Sequence, residues 1–139
     1  KEPAELLAES LGIADKVVFL GNSNEVNKIL CFSDLFLLPS EKESFGLAAL
    51  EAMASSVPII SSDAGGLPEV NIDGQSGYLS AVGNITEMAA NAISILKDDA
   101  TLASFKTNAK ISSLRFDTKT IVPKYEALYE RVLLKSQGA

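Results

Sequence analysis

The sequence has no histidine, no tryptophan and a single cysteine among its 139 residues. The lack of histidine excludes a Ser-His-Asp triad or any imidazole base within this segment. One thiol, Cys31, makes neither an internal disulfide nor a thiolate metal site. Flanked by Ile29, Leu30 and Phe32, it is expected to be a small core residue. Long apolar runs are missing too: Leu35–Leu38 is far shorter than the ~20 residues a membrane span needs. No secretory leader is visible, and together these absences point to a reducing, cytoplasmic setting. Positive charge is also scarce. Against 18 Asp and Glu stand 12 Lys and Arg, a net charge of −6 with no basic cluster, and such a field repels nucleic acid.

What is present is ordinary globular usage, 47% hydrophobic and 22% charged, in a length suited to one modest domain. Lys1-Glu2-Pro3-Ala4-Glu5 runs straight into a helical pattern at Leu6, Leu7 and Leu11 with no starting Met, which reads as a piece of a longer protein. Val17-Val18-Phe19-Leu20, ended by Gly21, predicts a strand, and Asn22-Ser23-Asn24 offers caps for a helix near Glu25–Phe32. Leu35-Phe36-Leu37-Leu38-Pro39 has no polar alternation, as expected of a strand covered on both faces. A polar loop from Ser40 to Phe45 leads to a small-residue helix over Gly46–Ser56, then a strand over Val57–Ser61 with Pro58 at its start. Gly65-Gly66 marks a turn, Pro68 suits the first position of a short helix, and Tyr78-Leu79 predicts a further strand. Apolar residues then recur at helical spacing through Met88–Leu96, Leu102–Ile111 and Ile121–Leu133. Strands alternating with helices argue for an α/β fold, a Rossmann-like parallel sheet with helices on both faces.

The stretch Glu43-Ser44-Phe45-Gly46-Leu47 follows an apolar strand and opens a helix, the place where open α/β sheets bind ligands. The amides of Ser44, Phe45, Gly46 and Leu47 have no intrahelical acceptor, and a glycine lets a ligand approach them. Such a helix mouth suits a phosphate, each charge-assisted bond contributing roughly 1.5–3 kcal/mol. Glu51 falls in the second turn, so Glu43 and Glu51 flank the mouth from different sides, and carboxylates accept hydrogen bonds from a vicinal diol. Acidic residues here also serve simply as solvated dipole stabilisers worth about 0.3–1 kcal/mol. Both readings of Glu41 and Glu43 stay open on the residues alone. So do two readings of Gly65-Gly66, close backbone approach to a ligand or a tight turn. Tyr78 is expected to pack and not to stack on a base.

Glu43 and Glu51, with seven residues between them, resemble the Glu-x7-Glu motif of retaining family 4 glycosyltransferases of the GT-B fold. Val18-Phe19-Leu20-Gly21, Asp34–Ser40, Val57–Ile60, Gly65–Glu69 and Gly74–Leu79 agree in order with that family's blocks. Leu38–Leu47 is most similar to the members that join N-acetylglucosamine to L-malate, the first step of bacillithiol biosynthesis. The resemblance implies transfer from UDP-N-acetylglucosamine to the malate hydroxyl with retention at the anomeric carbon, no metal and no cofactor. By position, Glu43 would be the catalytic-site carboxylate holding donor-sugar hydroxyls, and Glu51 would hold the uridine ribose. The amides of Phe45, Gly46 and Leu47 would meet the diphosphate, with Ser44 beside them and the loop at Gly21 near the uracil. Residues 1–139 would then be part of a C-terminal donor-binding domain, without the acceptor domain or its own first elements, and inactive alone. Another donor or acceptor, or a non-catalytic nucleotide-binding module, remain alternatives. Ala54-Ser55-Ser56 departs from relatives that carry a glycine before the proline, which bears on the helix C-cap. The stripe Ile121, Tyr125, Leu128, Val132 and Leu133 is expected to be partly uncovered, favouring a weak homodimer.

Overall fold

Ile59 and Ile60 are neighbours on one strand and both fully buried, so the two faces of the sheet they belong to must each be covered. The computed structural model describes residues 2–137. Three parallel strands, β1 (Phe36–Leu38), β2 (Ile59–Ser62) and β3 (Gly77–Ser80), lie in the order β1-β2-β3. Phe36 is opposite Ile59, and Ile60 opposite Tyr78. The helices are α1 (Glu2–Ser10), α2 (Val26–Cys31), α3 (Leu47–Ala54), α4 (Leu67–Val70), α5 (Ile85–Leu96), α6 (Asp99–Ser113) and α7 (Thr118–Gln137).

On one face, Ile59 packs with Ala49 and Met53 of α3, Leu67 and Val70 of α4 and Ala109 of α6. On the other, Ile60 packs with Met88 and Ile95 of α5 and with Phe105 of α6. Thus α6 serves both layers, and the α/β arrangement read from the sequence holds. Tyr78 is half-buried with its ring 5.3 Å from that of Phe105, so it packs, as expected. Pro58 directly precedes β2, and its carbonyl accepts the Phe36 amide at 3.0 Å. Pro68 is the second residue of α4, one place later than expected. At the start of α6 the hydroxyl and amide of Thr101 both donate to Asp98, which holds that carboxyl below its ordinary range.

Polar groups inside the sheet are paired. The fully buried Asn71 donates to the Ser61 hydroxyl and the Tyr78 carbonyl, each at 3.1 Å, and accepts from the Ser76 hydroxyl at 3.0 Å. One amide side chain therefore joins β2, β3 and the turn between α4 and β3. Helix α3 ends with the Val57 amide bonded to the Ala52 carbonyl and the Ser56 amide to Met53, both at 2.9 Å. This Schellman closure forces Ser56 to φ 62, the only positive φ at a non-glycine among the described residues.

Several expectations are corrected. Val17–Leu20 is no strand: Val17 is extended, but nothing among the described residues pairs with the run, and Val18 and Leu20 are exposed. A strand exists only through its partner, which a local apolar run cannot reveal. Strand β1 is not covered on both faces, because Leu37 is 57% exposed. Cys31 is exposed and not core, since Leu30 is the residue that α2 buries. The α7 stripe is largely uncovered, as expected: Tyr125, Leu128, Val132 and Leu133 are all exposed.

Two outcomes follow for stability. Ser56→Gly relieves the left-handed strain and should stabilise by about 0.5–1 kcal/mol after its cost in chain entropy, read as a raised urea midpoint. Asn71→Leu leaves buried partners of the sheet unpaired and should destabilise by on the order of 3 kcal/mol in the same titration.

Candidate functional site

Strand β1 ends at Leu38, and Pro39 hands the chain to a loop over residues 40–46 that opens α3. The Ser62 hydroxyl, at the carboxyl end of β2, donates to the Ser40 carbonyl and pins the loop's first residue to the sheet. Further along, the turn after β2 presses on the loop's backbone. Gly65 has φ 53, and a Cβ built on it would lie 1.6 Å from the Glu43 carbonyl oxygen. A Cβ on Gly66 would lie 2.7 Å from the Ser44 carbonyl oxygen and 2.9 Å from the Phe45 Cα. The tight-turn reading of these glycines holds, since they join β2 to α4, and their backbone closely approaches the site loop itself.

Within the loop, one Glu43 oxygen accepts the amides of Ser44 at 3.1 Å and Gly46 at 3.2 Å. Glu43 is half-buried and caps the mouth of α3, where negative charge is favoured. The amides of Ser44 and Gly46 thus bond to a side chain and to no intrahelical carbonyl, as expected of this helix end, and those of Phe45 and Leu47 are left beside them. Gly46 is the N-cap with φ 95, and a Cβ there would come within 2.8 Å of Leu67 Cδ2. Its missing side chain makes room for α4 and permits the turn.

Glu51 lies one turn beyond Leu47, and both are exposed on the same face of α3 while Ala49, Ala52 and Met53 are buried. Its carboxylate makes no hydrogen bond or ion pair with any described residue. Phe45 turns its ring edge-on to Phe116, centroids 5.7 Å apart at 79°. Thus the structure gathers Glu43, Ser44, Phe45, Gly46, Leu47 and Glu51 at one strand end. Gly21 sits at φ 66 in an exposed turn, and among the described residues no hydrogen bond joins residues 17–24 to the loop. Among the described residues no three Cys, Asp or Glu converge as metal ligands.

Sequence reasoning missed Ser62, Phe116 and the Gly65 contact with Glu43. Two serines ending an apolar strand are a weak sign of the first, but nothing local announces Phe116.

The family described as Glycosyl transferases group 1 matches residues 1–112. N-acetyl-alpha-D-glucosaminyl L-malate synthase of Bacillus anthracis is 46% identical over 128 residues, which are 91% of this chain and 34% of that protein. D-inositol 3-phosphate glycosyltransferase of Corynebacterium diphtheriae is 36% identical over 126 residues, 88% of this chain and 29% of that protein. The chain thus spans about a third of the curated relatives it matches. Among solved structures, Anabaena HepE in complex with UDP superposes with a TM-score of 0.86 at 28% identity, covering 94% of this chain and 36% of HepE. HepE in complex with UDP-glucose gives 0.82 at 30% identity, covering 93% and 36%. With a family match over most of its length and a relative at 46% identity, the chain belongs to the group 1 glycosyl transferases and has the α/β fold of GT-B enzymes.

Proposed function

We propose that residues 1–139 are the donor-binding part of a retaining transferase that moves N-acetylglucosamine from UDP-N-acetylglucosamine to L-malate. The observation that carries the donor site is the Glu43 carboxylate seated on amides at the mouth of α3, with Glu51 on the exposed face of the same helix. An anion already prefers this place. A diphosphate replaces the carboxylate there, and Glu43 swings to hydroxyls of the sugar. Glu51 accepts from the ribose, and the turn at Gly21 lies toward the uracil in the assembled enzyme. Support for the class of donor comes from HepE, solved with UDP and with UDP-glucose.

Support for the acceptor comes from the relative that is 46% identical and named for malate. A second acceptor, an inositol phosphate, has the relative at 36% in its favour. In this proposal the reaction takes place in the cytoplasm without metal or cofactor, the acceptor is held mainly by a partner domain, and this part alone does not turn over. The uncovered α7 stripe is the face for weak self-association.

The intact protein should release UDP from UDP-N-acetylglucosamine when given L-malate and not when given inositol 3-phosphate. The reverse preference would replace the acceptor. Glu51→Ala should weaken UDP by about tenfold, the loss of a charge-assisted bond, whereas Glu43→Ala should mainly lower kcat. Unchanged kinetics in both would remove these roles.

Gly65→Ala tests the loop's support. A methyl group cannot coexist with the Glu43 carbonyl, so the loop must shift. UDP at 100 times its dissociation constant should stabilise the wild-type protein by about 2.7 kcal/mol. The variant should lose most of that increment in a thermal-shift assay while remaining folded.

A further inference from the structure

We infer that Phe116 is a positioning residue for the donor site, holding the ring of Phe45 in the loop that opens α3. This rests on the donor-site reading given above. Phe45 is the one large side chain between Glu43 and Gly46, in the middle of the segment whose amides face the diphosphate. From the sheet side, Gly65 and Gly66 fix the backbone of Glu43, Ser44 and Phe45. Nothing in that contact fixes the ring of Phe45, which is 37% exposed. The edge of Phe116 does so, at 5.7 Å between centroids. An edge-to-face pair has a preferred geometry, and holding the ring also limits the backbone torsions of the residue that bears it.

Phe116 is well placed to act as a fixed wall. It ends a 3-10 turn, Leu114–Phe116, and packs against the core cluster of Ala49, Met53 and Ile59. The Arg115 guanidinium lies 5.3 Å from its ring centroid. Directly after it, the Asp117 carbonyl accepts the amides of Thr120 and Ile121 at 2.8 and 2.9 Å. The Asp117 carboxylate accepts that of Lys119 at 2.8 Å. These bonds tie the residue that follows Phe116 into the first turn of α7. Phe45, Leu47, Leu50, Phe116, Ile121 and Tyr125 together line a groove of about 340 Å³, so this turn and the site loop share one apolar seam. The residue lies outside the stretch 1–112 that matches the family.

The test is calorimetric titration of the intact protein and its variants with UDP and, separately, with uridine, which carries no diphosphate. Phe116→Ala should weaken UDP about five- to tenfold and leave uridine unchanged, and Phe116→Tyr, which keeps the ring edge, should restore UDP. Phe116→Leu keeps the bulk without the edge and serves if the alanine variant does not fold. Paired with Phe45→Leu, it should show non-additive losses. Equal losses for UDP and uridine, additive losses in the pair, or an unaltered UDP affinity would each overturn the positioning role. A wild-type protein that binds uridine but gains nothing from the diphosphate would instead overturn the donor-site reading on which this role rests.

Discussion

Two backbones meet without any side chain between them where Gly65 and Gly66 lie against Glu43, Ser44 and Phe45, and that contact sets the geometry of the candidate site. Because a Cβ at Gly65 would sit 1.6 Å from a carbonyl oxygen, the constraint is steric and admits no gradual compromise. Everything nearby is arranged around it. Ser62 holds the loop's first residue, Leu67 fills the space Gly46 leaves, and the small residues of α3 let that helix lie close to β2. The same economy appears at Gly77, where a Cβ would lie 1.8 Å from the Ile59 carbonyl oxygen inside the sheet.

The mouth of α3 is an electrostatic compromise as much as a steric one. Orphan amides and the positive end of a helix attract an anion, and Glu43 supplies one from within the chain. Two readings of that glutamate, dipole stabiliser and ligand-binding group, looked like rivals on the residues alone. In the fold they are successive states of one carboxylate under the donor-site proposal. Glu43 occupies two amides of the unliganded mouth, and under that proposal the donor exchanges one acceptor for another.

How much of this was legible in the sequence varies with the range of the interaction. Strands β1, β2 and β3 were marked by short apolar runs bounded by proline and glycine, and α5, α6 and α7 by regular apolar spacing. Glu43, Gly46 and Glu51 were marked by their place after a strand. Val17–Leu20 misled because its β-branched residues express a local preference, whereas a strand needs a neighbour to accept its hydrogen bonds. Cys31 misled because a helix as short as α2 buries only Leu30, so apolar neighbours in sequence did not mean burial. Phe116 stayed invisible because its partner is 71 residues away in the chain and the pairing depends on how a turn after α6 docks.

Pro123 stands inside α7, two turns from Phe116. It has no amide hydrogen, so the bond that would run back to Lys119 is missing and the helix is softened just past its point of attachment. Fourteen residues of α7, about 21 Å of helix, follow that interruption. The distal turns carry Leu128, Val132 and Leu133 exposed beyond that interruption, while the aromatic pair of Phe45 and Phe116 holds the near end to the body.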